Sequence, residues 1–156
     1  MTYGPTLRPM KGRSDPAPQR GFTLIELMVA VAIVGILAAI AYPSYADHVR
    51  RGKIAAALGE MSPARVRLEQ YYQDHPHYGS SATACGVALP SAPDFASSCA
   101  WGPGGTPQSF VLTATGQESL AGYVYTVNEA DQQATPRFEG QAVNAACWIK
   151  RRGEAC

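Results

Sequence analysis

The chain has few charged residues and lacks the sequence signatures of the common enzyme classes. Asp, Glu, Lys and Arg together make up 16% of its 156 residues. The acids are scattered singly, so they offer no carboxylate pair for acid–base catalysis. There is no Walker loop, dinucleotide fingerprint or Ser/His/Asp signature, and the Gly102–Gly105 cluster neither follows a predicted strand nor precedes a helix. The sequence therefore predicts a protein that is not an enzyme, with no catalytic residues and no cofactor.

Potential metal ligands are also sparse. The sequence has three His and four Cys, and no Cys-x-x-Cys pair, which argues against zinc ribbons and thioredoxin-like chemistry. His75-Pro76-His77 could hold a metal, but two histidines across a proline at a helix exit are more often solvated surface. We therefore expect no metal site.

What the chain does have is a long apolar run behind a single acid. Residues 27–46 carry no charge, and about 20 apolar residues are long enough to span a bilayer as a helix. Glu26 lies directly before this run, where an ionised side chain costs about 3 kcal/mol on insertion scales. A carboxylate in that place needs a partner, and a functional role is the default hypothesis for it.

The segment Gly21-Phe22-Thr23-Leu24-Ile25-Glu26, followed by the apolar run through Pro43, resembles the N-terminus of a type IV prepilin. In that family a peptidase on the cytoplasmic side cuts after the glycine and methylates the new N-terminal residue. The resemblance implies cleavage between Gly21 and Phe22 and N-methylation of Phe22. Glu26 then matches the glutamate at the fifth mature position.

A physical role for Glu26 in assembly follows from this match. In a filament core without water, Glu26 can pair with the Phe22 ammonium of a neighbouring subunit and so select one axial register. The alternative is an ordinary signal anchor in which Glu26 merely sits at the membrane interface.

The resemblance divides the chain into three parts: a cleaved leader over residues 1–21, a transmembrane and pilus-core helix over 22–50, and a soluble headgroup over 51–156. The leader is basic and has no hydrophobic core of its own. A positive flank stays in the cytoplasm, so we expect the rest to be exported. The expected precursor crosses the inner membrane once with a cytoplasmic N-terminus, and the mature chain then enters an extracellular pilus.

A small exported domain benefits from covalent cross-links. Cys85, Cys99, Cys147 and Cys156 suit this need, and two disulfides are favoured over a metal site in an exported chain. Four cysteines permit three connectivities. We favour Cys85–Cys99 and Cys147–Cys156, because closure between nearest neighbours needs no crossing.

The expected fold class is α+β, with a long N-terminal helix, membrane-spanning in its first half, packed on a small antiparallel β-sheet. The helix should run from about Phe22 to Gln73, amphipathic in its second half, with a short break plausible at Ser62-Pro63. A loop should follow as far as Gln108. Strands are predicted by alternation at 110–115 and 123–127, and more weakly at 136–139 and 146–150. Four sequential strands indicate an antiparallel meander, which is the pilin architecture.

Three adjacent cations, Lys150, Arg151 and Arg152, lie between the last two cysteines. Such a patch can engage DNA phosphates without reading bases, although the remainder of the chain after the leader is slightly acidic. Some pilins serve as DNA receptors, which favours this hypothesis. The alternatives are a contact with a neighbouring subunit's acids or a solvated loop.

The order of helix, disulfide loop, sheet and C-terminal cysteine pair resembles the PilE-like minor pilins. This implies a structural subunit of a type IV pilus that supports pilus assembly, twitching motility and adhesion. Its implied partners are other pilins, the prepilin peptidase and the inner-membrane assembly platform. One alternative is a competence pilin that binds DNA for uptake. Another is a type II secretion pseudopilin, although Glu129 and Asp131 stand nearly alone where those proteins often cluster acids around calcium.

Overall fold

The computed structural model describes residues 21–156. The leader predicted from the sequence, apart from Gly21, lies outside the described residues. The elements, in chain order, are helix α1 (Leu24–Asp74), strand β1 (Phe95–Trp101), strand β2 (Phe110–Gly116), a short 3₁₀ helix (Glu118–Leu120), strand β3 (Val124–Asn128), strand β4 (Gln133–Phe138) and strand β5 (Gln141–Ala145). The predicted α+β class is confirmed.

The described chain divides into two compact units. The first ends at Ile40, and the second comprises Ala41–Cys156. All residues from Gly21 to Ile40 are exposed, although most of them are apolar. This helical segment is long and apolar enough to cross a membrane. An apolar surface on every side is typical of a helix that lies in lipid or in a bundle of other helices.

The second unit contains the amphipathic half of α1. The buried helix residues recur every three or four positions, as one face of a helix does: Ile54, Ala57, Leu58, Met61, Ala64 and Leu68. The helix is not broken at Ser62-Pro63, so that expectation was wrong. Ser62 and Pro63 are exposed, while Met61 and Ala64 on either side of them are packed in the core and hold the helix together.

The sheet is an antiparallel meander with strand order β1-β2-β3-β4-β5. Alternate residues of the two central strands enter the core beneath the helix, namely Phe110, Leu112 and Ala114 from β2 and Tyr125 and Val127 from β3. The alternation predicted for both segments is therefore confirmed, because one face of each strand is buried.

Two details of the sheet differ from the prediction. The segment assigned to a loop contains β1, which pairs along its whole length with β2. Its Ala and Ser residues are weak strand formers, and only the pairing partner and the burial of Phe95 and Cys99 reveal it. Conversely, residues 146–150 form no strand, and β5 lies earlier, at Gln141–Ala145.

Candidate nucleic-acid interface

The three predicted cations lie on a C-terminal loop, residues 147–156, that is fastened to the sheet. A disulfide joins Cys147 to Cys156, with the Cα atoms 5.6 Å apart. Ile149 is buried and donates its backbone N–H to Thr135 Oγ1 at 3.0 Å. The Tyr125 hydroxyl donates to the Ile149 carbonyl at 2.9 Å. These side-chain bonds replace a strand ladder, which is why the predicted strand at 146–150 is absent.

Glu154 shapes the turn that carries the cations. Its Oε2 atom accepts the backbone N–H of Lys150 at 2.7 Å and that of Arg151 at 3.0 Å. The Lys150 N–H is the main cause of a lowered pKa for the Glu154 carboxyl. Because ionised carboxylates are strong acceptors, this bond holds the turn at neutral pH and is lost as the pH falls through the lowered pKa.

The three cations differ in their surroundings, although all are exposed. Arg152 Nε lies 2.6 Å from Glu139 Oε2. Within residues 21–156, the side chains of Lys150 and Arg151 form no ion pair. The loop therefore presents two free positive charges and one that is neutralised within the chain.

A tight turn holds Glu139 within reach of Arg50 and Arg152. Glu139 joins β4 to β5 together with Gly140, and both residues have positive φ, 50° and 81°, as two-residue hairpin turns require. Its carboxylate also accepts the Tyr123 hydroxyl at 3.1 Å and lies 3.4 Å from Arg50. Arg152 is the main cause of a lowered pKa for the Glu139 carboxyl. Burial, followed by the bond to Glu139, raises the pKa of Tyr123 to about 12.

Most other cations of the headgroup are used internally. Lys53 contacts Asp94, which also accepts the Ser119 hydroxyl at 2.7 Å. Arg65 lies 3.6 Å from Asp131. Arg67 on α1 and Arg137 on β4 are exposed and form no ion pair within the described part of the chain.

The structure shows no metal-binding group among residues 21–156. The rings of His75 and His77 lie 6.0 Å apart, and the Tyr71 ring stacks on His75 at 4.3 Å. Glu129 accepts the backbone N–H of Phe110 at 3.1 Å.

At the other end of the described chain, Gly21 and Phe22 are exposed and precede the first helical turn. Thr23 Oγ1 accepts the backbone N–H of Glu26 at 3.2 Å. This is the helix-capping arrangement of a Thr followed three residues later by a Glu. The Thr23 side chain therefore caps α1, a role that the Thr-x-x-Glu spacing signals and that sequence reasoning missed.

The second disulfide joins Cys85 to Cys99, with the Cα atoms 5.7 Å apart. Cys99 is buried in β1, and Cys85 packs against the core from the preceding segment. Sequence reasoning missed Glu139, because a single acid far along the chain carries no signal of the cation it meets. It also missed Glu154, which accepts the backbone N–H groups of its near neighbours rather than a side-chain cation.

A long apolar helix whose second half packs on an antiparallel meander, followed by a disulfide-closed loop, defines the class of type IV pilins. Comparisons with known proteins agree. Residues 16–42 match the model of the prokaryotic N-terminal methylation motif. Residues 43–144, more than half of the chain, match the model described as type IV minor pilin ComP, DNA uptake sequence receptor. The chain belongs to this family and is a structural subunit of the type IV pilin class. The match ends before the basic loop.

Individual relatives are similar over part of their length. The chain is 43% identical over 72 residues to a type IV major pilin protein of Neisseria gonorrhoeae, covering 46% of this chain and 44% of the relative. It is 38% identical over 97 residues to the fimbrial protein EcpC of Eikenella corrodens, covering 62% of each. Among solved structures, a type IV pilin from Shewanella oneidensis matches with a TM-score of 0.44 and 15% identity, covering 54% of this chain and 89% of the other. The chain spans less than half the length of the first of these relatives.

Proposed function

We propose that the chain is made as a prepilin, is cut between Gly21 and Phe22, and enters a type IV pilus as a minor subunit that binds DNA. In this proposal the precursor is held in the inner membrane by its apolar helix with residues 1–21 in the cytoplasm. The prepilin peptidase processes it, and the assembly platform adds it to other pilins. Support of twitching motility and adhesion would belong to the assembled pilus.

The observation that carries DNA binding is the exposed cationic turn at Lys150–Arg152, fixed by a disulfide and by Glu154. Lysine and arginine side chains on a preformed loop reach phosphates at little cost in ordering. The family description names a DNA receptor, which supports the same conclusion independently of the loop. Phosphate contacts position a protein on DNA without reading its sequence, so we assign no base recognition to these three side chains.

The test is binding of the mature chain, in detergent micelles, to labelled duplex DNA at several salt concentrations. Replacing Lys150, Arg151 and Arg152 together with alanine should weaken binding to all sequences by the same factor. The slope of log affinity against log salt concentration should become shallower by at most about 3, since at most three phosphate contacts are lost.

Arg151→Ala and Arg67→Ala form a matched pair for the same assay, because both remove an exposed arginine that forms no ion pair among residues 21–156. Only Arg151→Ala should weaken binding. If the unaltered chain shows no binding at low salt, the DNA part of the proposal is wrong and the structural role remains.

A further inference from the structure

Glu139 receives cations from two separate parts of the headgroup. Arg152 reaches it from the C-terminal loop at 2.6 Å, and Arg50 reaches it from α1 at 3.4 Å. Tyr123, the residue that precedes β3, donates its hydroxyl to the same carboxylate at 3.1 Å. Glu139 is therefore an acid placed directly beside the proposed DNA-binding loop and held there by three partners.

The two members of the Glu139–Arg152 pair differ in exposure. The Arg152 side chain is 76% exposed, whereas that of Glu139 is 23% exposed. Ion pairs with one member this open to water contribute little to stability, because solvent screens them. A dianionic or polyanionic ligand that approaches from solvent can thus reach the guanidinium without displacing any part of the fold.

We propose that Glu139 pairs with Arg152 in the free subunit and that a DNA phosphate takes the place of the Glu139 carboxylate on the Arg152 guanidinium when DNA binds. This inference rests on the proposed DNA-binding function. In this proposal Glu139 sets the DNA affinity without contacting DNA itself. Lys150 and Arg151 bind phosphate directly, whereas Arg152 first leaves its ion pair with Glu139.

The exchange leaves no buried charge without a partner. When Arg152 turns to a phosphate, the Glu139 carboxylate keeps the Tyr123 hydroxyl and lies beside Arg50. A guanidinium binds phosphate oxygens in the same bidentate way that it binds carboxylates, so Arg152 exchanges one suitable acceptor for another.

The surroundings also place Glu139 where its charge opposes a bound phosphate. Arg151, Arg152 and Glu139 line one groove of about 470 Å³. A phosphate that enters this groove meets these two cations and also two acids, Glu154 and Glu139, and the Glu139 carboxylate reduces the attraction. Removing the Glu139 charge should therefore strengthen DNA binding, in addition to any gain from the freed Arg152.

The experiment compares Glu139→Gln with the unaltered mature chain in detergent micelles, using a labelled duplex at several salt concentrations. Glutamine retains an oxygen that accepts the Tyr123 hydroxyl, so the headgroup should fold. At low salt the variant should bind about threefold to tenfold more tightly. Its slope of log affinity against log salt should stay the same, because Arg152 makes its phosphate contact in the unaltered chain as well.

Two further variants separate the exchange from a general effect of charge. Glu60→Gln removes an exposed acid on α1 that forms no ion pair in the described part of the chain, and it should change affinity little. In an Arg152→Ala background, Glu139→Gln should lose most of its gain. A gain equal to that of Glu60→Gln, or one that persists fully without Arg152, contradicts the exchange.

A second measurement needs no substitution. The Nε–Hε resonance of Arg152 in the unaltered chain should shift when duplex is added, as the carboxylate is replaced by phosphate. If the unaltered chain binds DNA while this resonance and the Glu139→Gln affinity stay unchanged, the exchange is wrong and DNA binding stands. If neither the unaltered chain nor Glu139→Gln binds DNA, both proposals fail. Binding by Glu139→Gln alone would contradict the exchange, because Arg152 of the unaltered chain would then not pass from Glu139 to a phosphate.

Discussion

At the scale of single residues, the functional candidates are defined by their partners rather than by their types. Lys150, Arg151 and Arg152 are all cations in the sequence, yet among residues 21–156 only the Arg152 side chain of the three forms an ion pair. The basic run could be found from the sequence because the three cations are adjacent. Glu139 could not, because a hairpin turn and the C-terminal loop bring it to a cation 13 residues away. Glu154 could not either, because its role depends on the backbone shape of a disulfide-closed loop.

Glu26 has a charge that pairs in the filament in our account, whereas the helix cap beside it is formed by the Thr23 side chain and the Glu26 backbone N–H. Glu26→Ala removes the charge and keeps the backbone N–H that Thr23 accepts, and pilus incorporation should fall, because the Phe22 ammonium loses its counter-charge. Cleavage and membrane insertion should continue, since the apolar segment improves without a charge. The measurement is the amount of variant in purified pili relative to the amount in membranes.

Glu26→Gln is the matched control, because glutamine suits the same capping arrangement with Thr23 but carries no charge. Its incorporation should fall as far as that of the alanine variant. If the glutamine variant enters pili normally, the charge of Glu26 is not what assembly requires.

At the scale of elements, the amphipathic pattern of α1 and the alternation in β2 and β3 were sufficient to predict those elements, because each buries one face. Strand β1 escaped prediction because its small residues carry little strand preference, and pairing with β2 decides its conformation. The last predicted strand failed for the opposite reason. Ile149 in this segment is buried, as an apolar strand residue would be. Its backbone, however, is hydrogen-bonded to the Thr135 and Tyr125 side chains rather than to a strand partner.

The two disulfides should contribute unequally to stability. Replacing Cys147 and Cys156 with alanine should lower the free energy of unfolding by about 2–4 kcal/mol, mainly through the entropy of the unfolded chain. Replacing Cys85 and Cys99 should cost more, because Cys99 is 3% exposed and its loss also leaves a cavity in the core.

Urea unfolding of the mature chain in detergent, followed by tryptophan fluorescence, measures both effects under the same conditions. Equal stability of the Cys147/Cys156 variant and the unaltered chain would show that the C-terminal disulfide does not stabilise the fold. A larger loss for this variant than for the Cys85/Cys99 variant would contradict the argument from burial.

At the scale of the whole molecule, the chain combines an apolar helical segment with a headgroup that folds around the remainder of the same helix. The exposed apolar side chains between Phe22 and Ile40 have no covering within the described chain. Lipid before assembly and neighbouring helices after it supply that covering in our account.

The central claim is that this chain is a processed subunit of a pilus, and the intact mass of the protein in purified pili tests it most directly. We predict a species that lacks residues 1–21, begins at Phe22 and carries one added methyl group. A variant with Gly21 replaced by leucine should remain in the inner membrane as the full precursor and be missing from pili. Pili that contain the chain with its leader still attached, or pili that never contain it, would contradict the account.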